Sequence, residues 1–310
     1  MALSSCPLFT DTYENCSAFV PTPDSVYIFR RSVEPRSRHL DRWSHSPQNV
    51  RLWSIESEGR TELELTTHGE RTTVSLRSEV QLRQLWTGVK DETVYIDITG
   101  LRHHVWAALL RSALRTRVRV AVVYVEPTDY RPSLTPTEGE IYDLSERIEG
   151  ISPLPGFARL RDAGQRVCFV PLLGFEGTRL AYLIEQVEPP GEKIVPIVGV
   201  PGFRPEYPFT TYLGNRSALL ATKAWQNVYF AQANCPFSLF YRLQEISQRY
   251  ADHTLKIAPI GTKPHAVGAI LYAMVCPEVV ELVYDHPIRK AERTIGSARL
   301  LVYHVWCLFG

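Results

Sequence analysis

Tyr95 to Leu110 reads YIDITGLRHHVWAALL, and Lys256 to Leu271 reads KIAPIGTKPHAVGAIL. Laid side by side without a gap, the two stretches share Ile96/Ile257, Gly100/Gly261, His104/His265, Ala108/Ala269 and Leu110/Leu271, and Arg102/Lys263 keep a positive charge. An internal repeat constrains architecture before any single element is read. In both copies an apolar run of strand length reaches a glycine, a helical pattern of apolar and small residues follows, and a second apolar run begins at Val118 or Val279. Short apolar strands separated by helices predict βαβ units around parallel sheets covered on both faces. Upstream, Ser25–Trp43 aligns with Asn227–Glu245, which would extend the duplication by a strand and a short helix.

The reading outward from the repeat is an α/β chain of two pseudo-symmetric Rossmann-like lobes with mainly parallel sheets, joined by a middle βαβ segment. The expected division is an N-terminal arm (1–24), a first lobe (25–135), a connecting segment (136–225) and a second lobe (226–310). Strands are expected at Val50–Ser57, Thr61–Thr66 and Arg71–Ser75, where apolar and polar residues alternate. Thr128–Gly139, rich in Pro, Thr and Ser, predicts a loop. Pro35–Trp43 predicts a short helix, with Arg30, Arg31, Arg36 and Arg38 either rimming a phosphate pocket or facing solvent, and Arg299–Phe309 a closing strand of the second lobe.

Composition narrows the function. The 310 residues are 45% hydrophobic and 22% charged, as in an ordinary globular protein. A net charge of +1 offers no broad field for nucleic acid, so extended nucleic-acid binding is not expected. The six cysteines form no CxxC pair, and no basic-then-apolar leader or membrane-length apolar run is present. A cytoplasmic protein, without membrane, metal or cofactor, is the expectation. Cys6 and Cys16 are close enough in sequence to pair or to bind a metal, but no third ligand lies near them.

In open parallel sheets, ligands bind beyond the carboxyl ends of the strands, where both repeated glycines fall. Gly261-Thr262-Lys263-Pro264-His265 places a hydroxyl, an ammonium and an imidazole at the mouth of a helix, the outline of a phosphate site. The alternative is a helix cap, a solvated lysine and a satisfied histidine. Gly100, Arg102 and His104 are the counterparts in the first lobe. Gly174-Phe175-Glu176-Gly177-Thr178-Arg179 is a third turn able to aim N–H groups at an anion, or simply a tight turn capped by Thr178. Arg289, Lys290 and Arg293 could rim a phosphate pocket or face solvent. Asp97, His104, His265 and Asp285 are the acid/base candidates, with Asp285, His286 and His265 also weighed as metal ligands; no established metal spacing joins them.

The strand-Gly-Thr-Lys-helix turn at Ile257–His265, echoed in a second lobe, resembles that of the CRISPR-associated Rossmann-fold (CARF) sensor domains, and is similar to that of SAVED domains, in which two such lobes share one chain. This chain has Ile260 where a second glycine is common in CARF domains, and its first lobe lacks the Thr-Lys pair. The resemblance implies a cytoplasmic sensor in antiviral defence. It would bind a nucleotide-type, phosphate-bearing ligand, such as a cyclic oligonucleotide, between the lobes, with output through a protein effector or a homo-oligomer. A nucleotide-processing enzyme and a ligand-free structural subunit of a larger complex remain open readings of the same residues.

Overall fold

The computed structural model describes residues 9–43, 49–67, 69–89, 92–137, 139–159 and 164–309. Cys6 lies outside them, and the other five cysteines are free thiols. The chain forms two compact units, residues 1–130 with 294–310, and residues 131–293. No helix among the described residues is long and apolar enough to cross a membrane.

In chain order the first unit supplies β1 (Thr10–Tyr13), β2 (Val26–Phe29), β3 (Arg51–Glu58), β4 (Glu62–Thr67) and β5 (Glu70–Ser75). Then come α1 (Glu79–Leu85), β6 (Thr93–Asp97), α2 (His103–Arg115), β7 (Arg119–Val125) and β8 (Asp129–Tyr130). The second unit contains β9 (Pro132–Thr137), β10 (Glu140–Tyr142), β11 (Ser145–Ile148), β12 (Val167–Leu172), α3 (Gly177–Val187), β13 (Ile197–Gly199) and α4 (Tyr207–Thr222). It continues with β14 (Tyr229–Ala231), α5 (Pro236–Arg249), β15 (Thr254–Pro259), α6 (Lys263–Val275), β16 (Val280–Leu282) and β17 (Pro287–Arg289). Finally β18 (Thr294–Ile295) and β19 (Leu300–Tyr303) return to the first unit.

The first unit is built on a mixed sheet in the order β1-β19-β7-β6-β2-β3-β4-β5. Its four central strands, β7, β6, β2 and β3, are parallel, and antiparallel strands extend both edges. The apolar runs of β6 and β7 are buried on both faces, whereas β3 and β4 bury alternate residues, Trp53 and Ile55 and then Leu63 and Leu65, as strands with one wet face do, and β5 buries only Val74. Tyr27, Phe29, Tyr95, Ala121, Val123 and Phe19 share one core cluster. β2 leads through the 3-10 segment Pro35–Arg42 to β3 on one side and β6 leads through α2 to β7 on the other, so the strand order reverses between β2 and β6.

The second unit carries an all-parallel sheet, β14-β13-β12-β15-β16. Counted within the unit this is 3-2-1-4-5, the doubly wound order, and it reverses between β12 and β15. Helix α3 packs on α4, and α5 on α6.

Several expectations are corrected. The segment 136–225 is not a connector: β12 and β13 are the middle of the second unit's sheet, as two-sided burial of Val-Cys-Phe-Val-Pro-Leu demands. The C-terminal strand is β19 beside β7, not part of a second lobe; it covers an edge of the first unit's sheet, and Val305–Leu308 follow it as a 3-10 turn. The upstream alignment pairs elements that are not equivalent, because β2 lies beside β6 while β13 and β12 separate β14 from β15. Thr10–Tyr13 of the expected arm is strand β1, and the expected loop 128–139 holds β8 and β9. The Pro35–Arg42 turn is 3-10 rather than α-helical, and Arg36 points inward. Its guanidinium donates to Glu34, the Tyr124 hydroxyl and the Val125 carbonyl.

Candidate functional site

At the reversal point of the second unit the ends of β12 and β15 touch through glycine. A Cβ on Gly174 would lie 2.7 Å from the Ile260 carbonyl oxygen, and one on Gly261 2.5 Å from that of Leu173. This close approach brings the turn after β12 against the turn after β15. Arg179, in the first turn of α3, crosses the gap. Its Nε and Nη2 donate to the two carboxylate oxygens of Asp285 at 2.7 and 2.6 Å, and Nη1 donates to the Ile260 carbonyl at 3.1 Å. Asp285, just beyond β16, is fully buried. Burial opposes the charge on Arg179, but Asp285 more than offsets it and raises the guanidinium pKa. The fork of the guanidinium matches the carboxylate, which makes this a strong, orienting pair. Thus Arg179 and Asp285, expected separately as anion contact and acid/base group, are committed to each other.

Beyond the same strand ends lies a cleft of about 320 Å3. Thr178, Arg179 and Glu176 form one wall, Tyr142, Asp143 and Ser145 to Ile148 another, and Lys290 closes it. Glu176 precedes α3 without capping it; its carboxylate accepts from the Leu144 N–H and the Ser145 hydroxyl, which ties the β10–β11 segment to the helix start. Tyr142 stacks on Phe175 at 4.8 Å and 28°, so the wall has an aromatic patch. Lys290 forms an ion pair with Asp143. Thr178 and Arg147 are exposed. Gly177 is buried as the first residue of α3.

The Gly261 turn is organised differently. The Thr262 hydroxyl caps α6, accepting from the His265 N–H at 3.3 Å, and donates to the Ala233 carbonyl at 2.7 Å. Lys263 is buried, not solvated. His265 is 1% exposed; its Nε2–H donates to the Gln232 carbonyl at 3.1 Å, and Nδ1 has no hydrogen-bond partner. Burial pushes its pKa down to about 4, so the ring is neutral at pH 7.

In the first unit, Asp97 is buried at the end of β6, where its Oδ1 accepts from the Thr99 N–H at 2.9 Å and Oδ2 lies 3.7 Å from His39 Nδ1. His39 Nε2 meets the Tyr27 hydroxyl at 2.9 Å. Burial, followed by the nearby Asp97 charge, holds the Tyr27 hydroxyl well above its ordinary range. Gly100 packs against the Arg30 carbonyl, where a Cβ would collide. Arg102 stands at the N-cap of α2, and His104 donates from Nε2 to the Gly59 carbonyl at 3.0 Å. Asp97 and His104 are therefore inside the protein, as are His265 and Asp285.

The structure brings Thr178 and Arg179 together with Lys290, and keeps Thr262, Lys263 and His265 in a separate packed turn. Among the described residues no His, Cys, Asp and Glu side chains gather as a metal-holding group. Sequence reasoning missed Tyr142, Ser145 and Arg147, which come from a Pro- and Thr-flanked stretch with neither a motif nor a regular polar-apolar period to mark them. Comparison of the chain with family models, curated proteins and solved structures finds no match.

Proposed function

We propose that the protein is a ligand sensor whose second unit takes a nucleotide-type, phosphate-bearing ligand in the cleft at the start of α3. The observation that carries this reading is the position of the cleft: it lies beyond the carboxyl end of β12, beside the reversal point of a doubly wound sheet, where such sheets bind ligands. Its wall offers what a nucleotide needs. The exposed Thr178 hydroxyl at the start of α3 can donate to an anion, Lys290 and Arg147 supply positive charge beside the carboxylates of Asp143, Glu146 and Glu176, and Tyr142 offers a flat surface to a base. Arg179 is fixed by Asp285 and holds the helix start in place. The finer parts of the proposal, a duplicated pair of Rossmann-like lobes of CARF or SAVED type, a cyclic oligonucleotide as ligand, and output through an effector partner in antiviral defence, rest on the repeat and on the Gly261-Thr262-Lys263 turn. The shared course of β6–α2–β7 and β15–α6–β16 supports the duplication.

The burial of all four acid/base candidates favours a sensor over an enzyme, since a reacting substrate must reach its catalyst. The test is calorimetric titration of the full chain with mono-, di- and cyclic oligonucleotides, followed by chromatography of the ligand. Binding with intact ligand, weakened about 10- to 100-fold in Lys290→Ala as expected for one charge-assisted contact, supports the reading. Turnover of the ligand, or binding indifferent to Lys290, Arg147 and Thr178, overturns it.

A further inference from the structure

Helix α4 is set into the second unit with its larger apolar side chains outside. Its inner face carries Tyr207, Thr211, Gly214, Asn215 and Leu219, whereas Phe209 is 72% exposed, Leu220 53% and Leu213 52%. A helix on the surface of a folded domain ordinarily does the reverse. The setting is fixed from within. A Cβ on Gly214 would stand 2.2 Å from the Phe175 carbonyl oxygen, and one on Gly177 1.9 Å from that of Gly214, so the start of α3 and the middle of α4 meet backbone to backbone. Asn215 Nδ2 donates to the Gly174 and Thr211 carbonyls, both at 2.8 Å. Turning Phe209 and the two leucines inward would break these contacts, so the fold itself holds the stripe outside. Apolar patches kept on a surface in this way mark interaction sites.

The stripe is spaced to pair with itself. Glu206, Phe209, Leu213, Arg216, Leu220 and Lys223 are all exposed and follow one another at intervals of 3, 4, 3, 4 and 3 residues, the spacing of a seam between two packed helices. This spacing is symmetric about a point between Gly214 and Asn215. With a second α4 laid antiparallel across that point, Phe209 falls opposite Leu220, Leu213 opposite the stem of Arg216, and Glu206 at the N-cap opposite Lys223 at the C-cap. In the single chain Arg204 Nε meets Glu206 Oε1 at 2.7 Å, and the carboxylate stays exposed beside it. A twofold axis repeats each contact, as an isologous interface requires. The parallel arrangement would set Lys223 on Lys223 and Arg216 on Arg216. A lipid surface fits less well, since interfacial helices line a wet polar face with cations, whereas α4 buries Thr211 and Asn215 on the face away from the stripe.

We infer that the chain forms a twofold dimer in which the outer face of α4 packs antiparallel on the same face of a second copy, closed at each end by an ion pair between Glu206 and Lys223. This stands apart from the nucleotide reading, and its test changes no residue of the cleft.

The test is sedimentation equilibrium of the full chain over a concentration series, with the melting temperature of each variant as a check on folding. Wild type should dimerise, and Leu213→Glu, which puts a carboxylate in the middle of the seam, should weaken the dimer at least about 100-fold. Lys223→Glu and Glu206→Lys each set like charges together at both ends, and each should weaken it about 10-fold. The double variant Glu206→Lys/Lys223→Glu restores opposite charges and should return to within about threefold of wild type. A dimer indifferent to Leu213→Glu overturns the inference, and so does a double swap no tighter than the singles. A chain that stays monomeric throughout the series also overturns it; if that monomer sediments with vesicles of phosphatidylcholine and phosphatidylglycerol, the stripe belongs to a lipid surface instead. Should Leu213→Glu melt early, the three charge variants carry the test.

Discussion

His265 shows how burial sets a residue's behaviour. Its folded-state pKa of about 4 lies below the ordinary value of 6.5, so between these limits the unfolded chain binds a proton that the folded chain refuses. Stability from this group is intact above pH 6.5 and is lost as pH falls toward 4, by up to about 3 kcal/mol. Urea unfolding from pH 7.5 to 4 should therefore show a steeper acid loss in wild type than in His265→Gln; parallel curves would refute it. Arg179 and Asp285 behave as a unit, and removing one leaves the other charge buried. Asp285→Asn should cost about 3–5 kcal/mol, whereas Arg179→Met/Asp285→Leu should recover much of that loss in the same assay. The sequence placed His265 and Arg179 at helix starts and Asp285 at a strand end, yet it could not say which side chains were already engaged. Arg179 and Asp285 are 106 residues apart, and only the fold makes them partners.

The two helical repeats illustrate what sequence patterns convey at the level of elements. β6–α2 and β15–α6 were legible because a buried strand, a glycine and an apolar helix each leave a local signature. Their neighbours were not, since the order of strands depends on which apolar edges find each other, not on succession along the chain. Hence β12, read as part of a connector, is the central strand against which β15 registers from Val167/Thr254 to Leu172/Pro259. This tight junction predicts that Gly261→Ala, which sets a Cβ against the Leu173 carbonyl, costs about 1–3 kcal/mol through overpacking. Ile257→Ala in β15, fully buried, should cost about 2–5 kcal/mol. Both are read from denaturant midpoints, and a cost below 0.5 kcal/mol for either would mean that the junction is looser than described. The bulge in β3, where Ile55 pairs with Leu65 but Ser57 with Glu64, was invisible in advance, because Ile55 to Glu58 carries no glycine or proline to announce it.

The whole molecule divides at Tyr130/Arg131 and Arg293/Thr294. The sequence led to an expectation of two lobes with borders drawn by succession, whereas the first unit is assembled from both ends of the described chain. Residues 131–293 are continuous and carry a complete parallel sheet, so expressed alone they should give a cooperative unfolding transition and dispersed amide resonances; an unfolded spectrum would refute this. The first unit needs β19 to cover β7. During synthesis on the ribosome, β7 is made long before β19, and the whole of residues 131–293 must emerge between them. The nascent chain therefore completes its second unit while the first still presents an uncovered strand edge. Such an edge invites pairing with other chains, and the interval before β19 emerges is when this protein is most in need of a chaperone.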